Sequence, residues 1–204
     1  MGYEAHEDLI APARPSAHPA RLLGGVALMA LLFMTFSYGY SVLHRAFVGP
    51  ERWDVLSDEL ARGATASGVL INLYLLGLLI AALAVTLPVV HQRSVLGLIG
   101  PAARFLRQFR QVVAALVLLL VVVMLLPGDE TVAPDPNMPF RRWLLLLPLG
   151  LLGLILQTAA EEMVFRGYLQ SQLAAFFTHP AIWLGVPSAL FALLHYDPAM
   201  HGAN

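Results

Sequence analysis

Uncharged apolar stretches long enough to cross a bilayer alternate along this chain with short polar segments. Residues 22–43 form a run of 22 positions without a charge. A helix spanning ~30 Å of hydrocarbon needs about 20 such residues at ~1.5 Å each. The run continues straight into Leu43-His44-Arg45-Ala46 with no small-residue cleavage site, so it reads as a retained span and not a signal peptide. Residues 44–67 form a charged loop with a short helix opened by Ser57. Residues 68–90 form a second span whose one strongly polar group, Asn72, reads as an interhelical hydrogen bond. Residues 91–111 carry Arg93, Arg104, Arg107 and Arg110 and no acid. Pro101 starts a helix there, with three arginines near one face and Phe105, Leu106 and Phe109 apolar, the pattern of an interfacial amphipathic helix. A third apolar run covers 112–126, and a Pro-rich acidic loop covers 127–139. A long apolar run follows Arg141 and Arg142, with Pro148 as a potential kink, and a last one covers 181–196 after Thr178-His179-Pro180. The pattern predicts an all-α polytopic transmembrane bundle of about five spans without internal repeats.

Three regions follow from this pattern. Residues 1–21, polar and Pro-rich, read as a mobile tail. Residues 22–142 hold the N-terminal membrane helices with the basic interfacial segment near 91–111. Residues 143–204 form a helical hairpin.

Composition agrees and narrows the chemistry. The chain is 58% hydrophobic and 12% charged, against about 45–50% and 25% for soluble domains. That leaves too little polar surface for a cytosolic body, and a formal net charge of -1 excludes a nucleic-acid binder. There is no cysteine, hence no disulfide, thiolate metal site or cysteine nucleophile. All 12 basic residues are arginine, which removes Schiff-base lysines and Walker-type phosphate sites. With the N-terminus inside, six arginines face one side and five the other, and the acid-free segment tips the balance towards a cytoplasmic N-terminus.

The ionisable groups that matter lie inside the fourth apolar run, which reads Glu161-Glu162-Met163-Val164-Phe165-Arg166-Gly167. Such groups cost at least ~2.5–3.5 kcal/mol each at membrane depth, so they persist only if paired, hydrated or working. Glu162 and Arg166 are four apart with the acid first, the favourable order for a helical ion pair. Glu161 points about 100° away and cannot share Arg166. It is left as a free, partly desolvated carboxylate, which is what a general base requires. If Thr178-His179-Pro180 turns the chain between antiparallel helices, Glu161 and His195 both lie roughly 24–27 Å from the hairpin tip and face each other at one depth. A straight helix from 143 to 177 would be ~52 Å long, so it either breaks near Gly167 or projects its tip into water.

At these residues the sequence resembles the CPBP family of intramembrane peptidases, which includes CAAX proteases and bacteriocin-processing enzymes. The family's Glu-Glu-x-x-x-Arg motif is matched by Glu161, Glu162 and Arg166, and its Phe-x-x-x-His motif by Phe191 and His195. The resemblance covers roughly residues 143–200. It implies that Glu161 activates water with help from His195, and that Glu162 and Arg166 form a supporting ion pair. It leaves the cofactor open between a divalent metal such as zinc, with Glu161 and His195 as ligands, and none. The family's third motif, a His with Asn or Asp four residues on, has no match. His201-Gly202-Ala203-Asn204 has the letters at the wrong spacing, and the chain reads as truncated before that motif.

The expected function is an intramembrane endopeptidase in a bacterial inner membrane, with lipids and a membrane-associated peptide or protein substrate as partners. The alternative is an inactive relative acting as scaffold, immunity or accessory subunit of a larger membrane complex. A proton-coupled transporter is a third option, but paired broken helices and repeat halves are missing.

Overall fold

The computed structural model describes residues 6–125 and 138–196, and every regular element among them is helical. A short α1 (Glu7–Ile10) leads into a 3-10 helix (Ala11–Ser16) and then into α2 (Pro19–Val48). Pro19 sits at the first helical position of α2, where its missing N–H costs nothing, and His18 Nδ1 accepts from the Ala20 N–H at 3.2 Å. Gly49, at φ 85°, ends α2 and passes the chain into α3 (Pro50–Arg62), an amphipathic helix in which Ser57 is an interior residue and not its start. Thr65 then caps α4 (Ala66–Leu75), which runs on through α5 (Gly77–Thr86) and a π turn (Leu87–His91).

Four helical stretches are long and apolar enough to cross a membrane: Pro19–Val48, Ala66–His91, Ala102–Val123 and Phe140–Phe176. The fifth expected span is α9 (Pro180–Leu194), a shorter apolar helix of 15 residues. The chain is therefore an all-α membrane protein.

The fourth stretch is composite. α7 (Phe140–Glu162) passes without interruption at Pro148 into a π-helix (Met163–Leu169) and then α8 (Gln170–Phe176). At ~1.5 Å per residue its 37 residues exceed the hydrocarbon thickness by a wide margin. There is no break at Gly167. The helix widens into the π register and its tip extends past the end of the neighbouring span.

The core is built around that π-helix. Met163, Val164, Phe165, Gly167, Tyr168 and Leu169 are buried against Met29 of α2, Ala82 and Leu83 of α5, and Leu87 and Leu98. Small residues allow these approaches, as in membrane bundles generally. A Cβ on Gly153 would come within 3.0 Å of Leu73, and one on Gly77 within 2.8 Å of Leu156.

Two sequence expectations need correction. Within the segment expected to be a mobile tail, the described residues from 6 onwards are not free, because residues 7–16 fold back on α8. Ile10, Ala13 and Ser16 are all buried. Their spacing of three matches the 3.0-residue turn of a 3-10 helix, so one small face packs although the segment looks polar overall. In the basic segment near 91–111 the helix expected from Pro101 does start there, but it is not a separate interfacial helix. His91 and Arg93 are buried, whereas residues 102–111 begin the continuous helix α6 (Ala102–Leu125). The surface of α6 is almost wholly exposed, and at its start Arg104 pairs with Asp8.

Asn72 behaves as its position suggests. Its Nδ2 donates to the Leu60 carbonyl at 2.6 Å, tying α4 to the last turn of α3. Asn72→Leu is expected to cost about 0.5–1 kcal/mol, since Leu60 keeps a second donor in the Gly63 N–H. A thermal unfolding curve in detergent measures this, and Asn72→Ser should fall between.

Candidate active site

Glu161 is the penultimate residue of α7, just before the π-helix, and His195 is the C-cap of α9. The two helices run antiparallel around residues 177–179, and His195 Nε2 stands 3.8 Å from Glu161 Oε1. Glu161 is mostly shielded, with 18% of its side chain exposed, whereas His195 is half open at 51%. Gln157, one turn earlier on α7, donates its Nε2 amide to the same Glu161 oxygen at 3.3 Å.

The His195 ring is oriented by its own helix. Its Nδ1 lies 2.9 Å from the Phe191 carbonyl, which also accepts from the His195 backbone N–H at 3.3 Å. A carbonyl can only accept, so Nδ1 carries a proton and the other ring nitrogen, Nε2, is the one turned towards Glu161. Phe191 also stacks under the His195 ring with centroids 4.3 Å apart, so both members of the Phe-x-x-x-His pair act on one imidazole.

Glu162 and Arg166 meet as the i,i+4 spacing requires, but loosely. Arg166 Nη1 is 3.5 Å from Glu162 Oε1 and makes no hydrogen bond. The guanidinium lies 4.9 Å from the centre of the Phe191 ring, whose edge-to-face partner is Phe165 at 5.2 Å. The four charged or titratable residues expected at the site therefore converge on the facing ends of α7 and α9.

Behind the site, a polar network that the sequence pattern did not expose holds the π-helix. His91 Nε2 pairs with the Tyr168 hydroxyl at 2.9 Å, and His91 Nδ1 with Ser16 Oγ at 3.0 Å and the Gln172 amide at 3.1 Å. Arg93 donates to Ser171 Oγ at 3.2 Å and to the Leu9 carbonyl at 3.3 Å, and Ser171 Oγ donates to the Gly167 carbonyl. All these side chains are buried. His91 closes the second span, so Tyr168 lies at the level of that helix end. Glu161, seven residues earlier, sits about 10 Å deeper at ~1.5 Å per residue. The nearest signal in the sequence was the recurrence of Tyr168 and Gln172 four apart on one helical face.

The N-terminal segment closes over the hairpin tip. His6 stacks on Trp183 of α9 at 5.2 Å and contacts Gln170 of α8 at 3.3 Å. Burial lowers the His6 pKa from its ordinary 6.5, and the carboxylate of Glu7 pulls weakly the other way. The undocked segment thus binds more protons than the docked one. Docking should be at full strength above about pH 6.5 and weaken as the pH falls below it. Hydrogen exchange of residues 6–16 at pH 7.5 and 5 measures this, and His6→Phe should remove the difference.

The residues present do not make a usual zinc centre. A catalytic zinc takes three protein ligands, and among the described residues no group of three or more His, Cys, Asp or Glu converges. Glu161 and His195 supply two. His201 and Asn204, the imperfect echo of a third motif, lie outside the described residues.

Comparison with known proteins follows this geometry. No curated protein and no solved structure matches the chain. A family model does, over residues 142–203, and its description is type II CAAX prenyl endopeptidase, Rce1-like. That stretch runs from the first turn of α7 through both facing motifs, so it is the C-terminal part of this membrane protein that is similar to the CAAX-protease kind.

Proposed function

We propose that this protein is an intramembrane endopeptidase in which Glu161 and His195 activate a water molecule to hydrolyse a peptide bond of a membrane-associated substrate. The observation that carries the reading is the 3.8 Å gap between Glu161 Oε1 and His195 Nε2. It is too long for a direct hydrogen bond, yet a water about 2.8 Å from each atom fits between them. Both groups accept, so such a water would donate one hydrogen to each and turn an oxygen lone pair outward.

As that oxygen bonds to the carbonyl carbon, one proton passes to the Glu161 carboxylate. When the tetrahedral intermediate collapses, the C–N bond breaks and the same proton passes to the departing nitrogen, with His195 as the alternate carrier. Gln157 holds Glu161 from the α7 side, and the Nδ1 bond to Phe191 keeps the imidazole from turning away. No step is assigned to a metal, since the donor set among the described residues falls one ligand short.

The setting completes the reading. Arg14, Arg21, Arg93, Arg104, Arg107 and Arg110 lie towards the end of the bundle nearer the site. This supports a bacterial inner membrane with that end and the N-terminus cytoplasmic, lipid as the surroundings, and a peptide entering from the cytoplasmic leaflet. The test is cleavage of membrane-anchored peptides by the purified protein in liposomes made up in 18O-labelled water. One labelled oxygen in each new carboxylate is expected. Intact peptide across a broad library would leave the scaffold or accessory role in a larger membrane complex instead.

A further inference from the structure

The second span ends on a turn that a glycine would make more easily. Gln92 closes it at φ 54°, and among the described residues no other non-glycine has a positive φ. The side chain kept in that conformation is exposed and lines a cavity of about 440 Å³, together with Ala84, Pro88, Arg93, Ser94 and Val95. Arg93 is the charged part of the wall, although only 7% of it is exposed. Its guanidinium gives one N–H to Ser171 Oγ and one to the Leu9 carbonyl, both neutral acceptors, which leaves Nε–H and one hydrogen on each Nη. The acids of the described N-terminal segment are already taken, Glu7 by Arg14 and Asp8 by Arg104. Arg21 of α2 stands close enough to act on His91 alongside Arg93, so two arginines share this corner and no described acid pairs with either. Burial lowers the Arg93 pKa from its ordinary 12.5, with Tyr168 pulling the other way. A shielded cation without a counter-ion is costly, and the cavity beside it has room for one.

The position of the cavity says which anion reaches it. It lies where the stretch Ala66–His91 ends, the level at which headgroups meet a span. Along the same helix, Ala81, Val85 and Val89 form an exposed apolar strip that leads away from it into the hydrocarbon. A polar, cationic recess continuous with an apolar strip fits an amphiphile with a negative head. We propose that this is a phospholipid site: Arg93, Gln92 and Ser94 take the phosphate of an anionic lipid, and its acyl chains lie along Ala81, Val85 and Val89. The guanidinium fork suits phosphate oxygens, the Gln92 amide can donate, and Ser94 Oγ, which accepts the Leu96 N–H at 3.3 Å, keeps its own hydrogen to give. Free phosphate is the other source of the same chemistry, but it would leave the apolar strip unused. The site needs nothing from Glu161 or His195 and stands apart from the endopeptidase reading.

The full chain is placed in nanodiscs of equal parts phosphatidylcholine and phosphatidylglycerol, and native mass spectrometry identifies the lipids it keeps after transfer to detergent. Phosphatidylglycerol is expected to be kept about tenfold over phosphatidylcholine, roughly what two arginines near a headgroup supply. Gln92→Glu supplies a carboxylate beside Arg93. It should bring the preference within about twofold and raise the unfolding temperature in pure phosphatidylcholine. Gln92→Gly relaxes the turn and should weaken the preference without lowering the unfolding temperature. Arg107→Gln/Arg110→Gln, at exposed positions of α6, should leave the preference intact. A preference that survives both Gln92 changes overturns the assignment. So does one that vanishes with the α6 pair, because the lipid would then sit on a diffuse basic surface. If inorganic phosphate added to phosphatidylcholine discs raises the unfolding temperature as much as phosphatidylglycerol does, the site takes free phosphate and the lipid assignment falls.

Discussion

Glu161→Gln should lower peptide-bond hydrolysis by about 10²–10⁴-fold, the span of a positioned general base, and leave the unfolding temperature within a few degrees of the parent. Glutamine keeps the size and planarity of the side chain and can still receive the Gln157 amide, so the facing ends of α7 and α9 keep their packing. What disappears is the ability to take a proton from the water proposed to occupy the 3.8 Å gap. His195→Ala should cost a similar factor through a different route, since it removes Nε2 and also the side-chain bond to the Phe191 carbonyl. His195→Asn separates the two effects: it can donate again to that carbonyl but cannot present a basic nitrogen. Single-turnover cleavage in liposomes reads all three. Full activity in both Glu161→Gln and His195→Ala would falsify the water-activation assignment.

Gly25→Ala should be the most damaging small change outside the site. A methyl at this position in α2 would fall 2.1 Å from the Tyr168 hydroxyl and 2.9 Å from His91 Nε2. Neither group has room to retreat, for Tyr168 is fully buried and His91 nearly so. The methyl must break the Tyr168–His91 bond or push the π-helix away from α2. Overpacking and a lost buried hydrogen bond together amount to about 2–4 kcal/mol. At about 2–4 °C per kcal/mol for a chain of this size, the unfolding temperature should drop by roughly 5–15 °C. Gly24→Ala is the matched control, with open space where its methyl would go, and should be neutral or slightly stabilising. Gly25→Ala/Tyr168→Phe should recover part of the loss, because the nearest clash vanishes with the hydroxyl. Additive losses in that double variant would mean that the close approach is not what matters.

The facing of Glu161 and His195 was legible in the sequence because helical rise is a fixed quantity. Two positions at comparable separation from one turn must come level, whatever the side chains between them do. The i,i+4 relation of Glu162 and Arg166 was legible for the same reason, although the looseness of their contact was not, since that depends on where Phe191 sits across the interface. Hydropathy located the long helices. It could not show that His91 and Arg93 are buried, because a basic residue next to a span looks the same whether it meets headgroups or a partner on another helix. Nor could it show that the polar N-terminal residues dock. Ala13 and Ser16 carry little hydrophobic signal, and their burial depends on Tyr168 and Gln172, more than 150 positions away.

That separation has a consequence for biogenesis. Residues 6–16 leave the ribosome more than 150 residues before Gln170, Gln172 and Trp183, three of the groups they settle on. During synthesis the leading segment can meet only His91, Arg93 and Arg104, its partners on α8 and α9 being still unmade, and His91 and Arg93 have no Tyr168 or Ser171 as the second span inserts. Fastening the segment over the hairpin is therefore a late, post-insertion event. A nascent chain halted before Gln170 should leave its first residues open to protease, and one released beyond Trp183 should protect them.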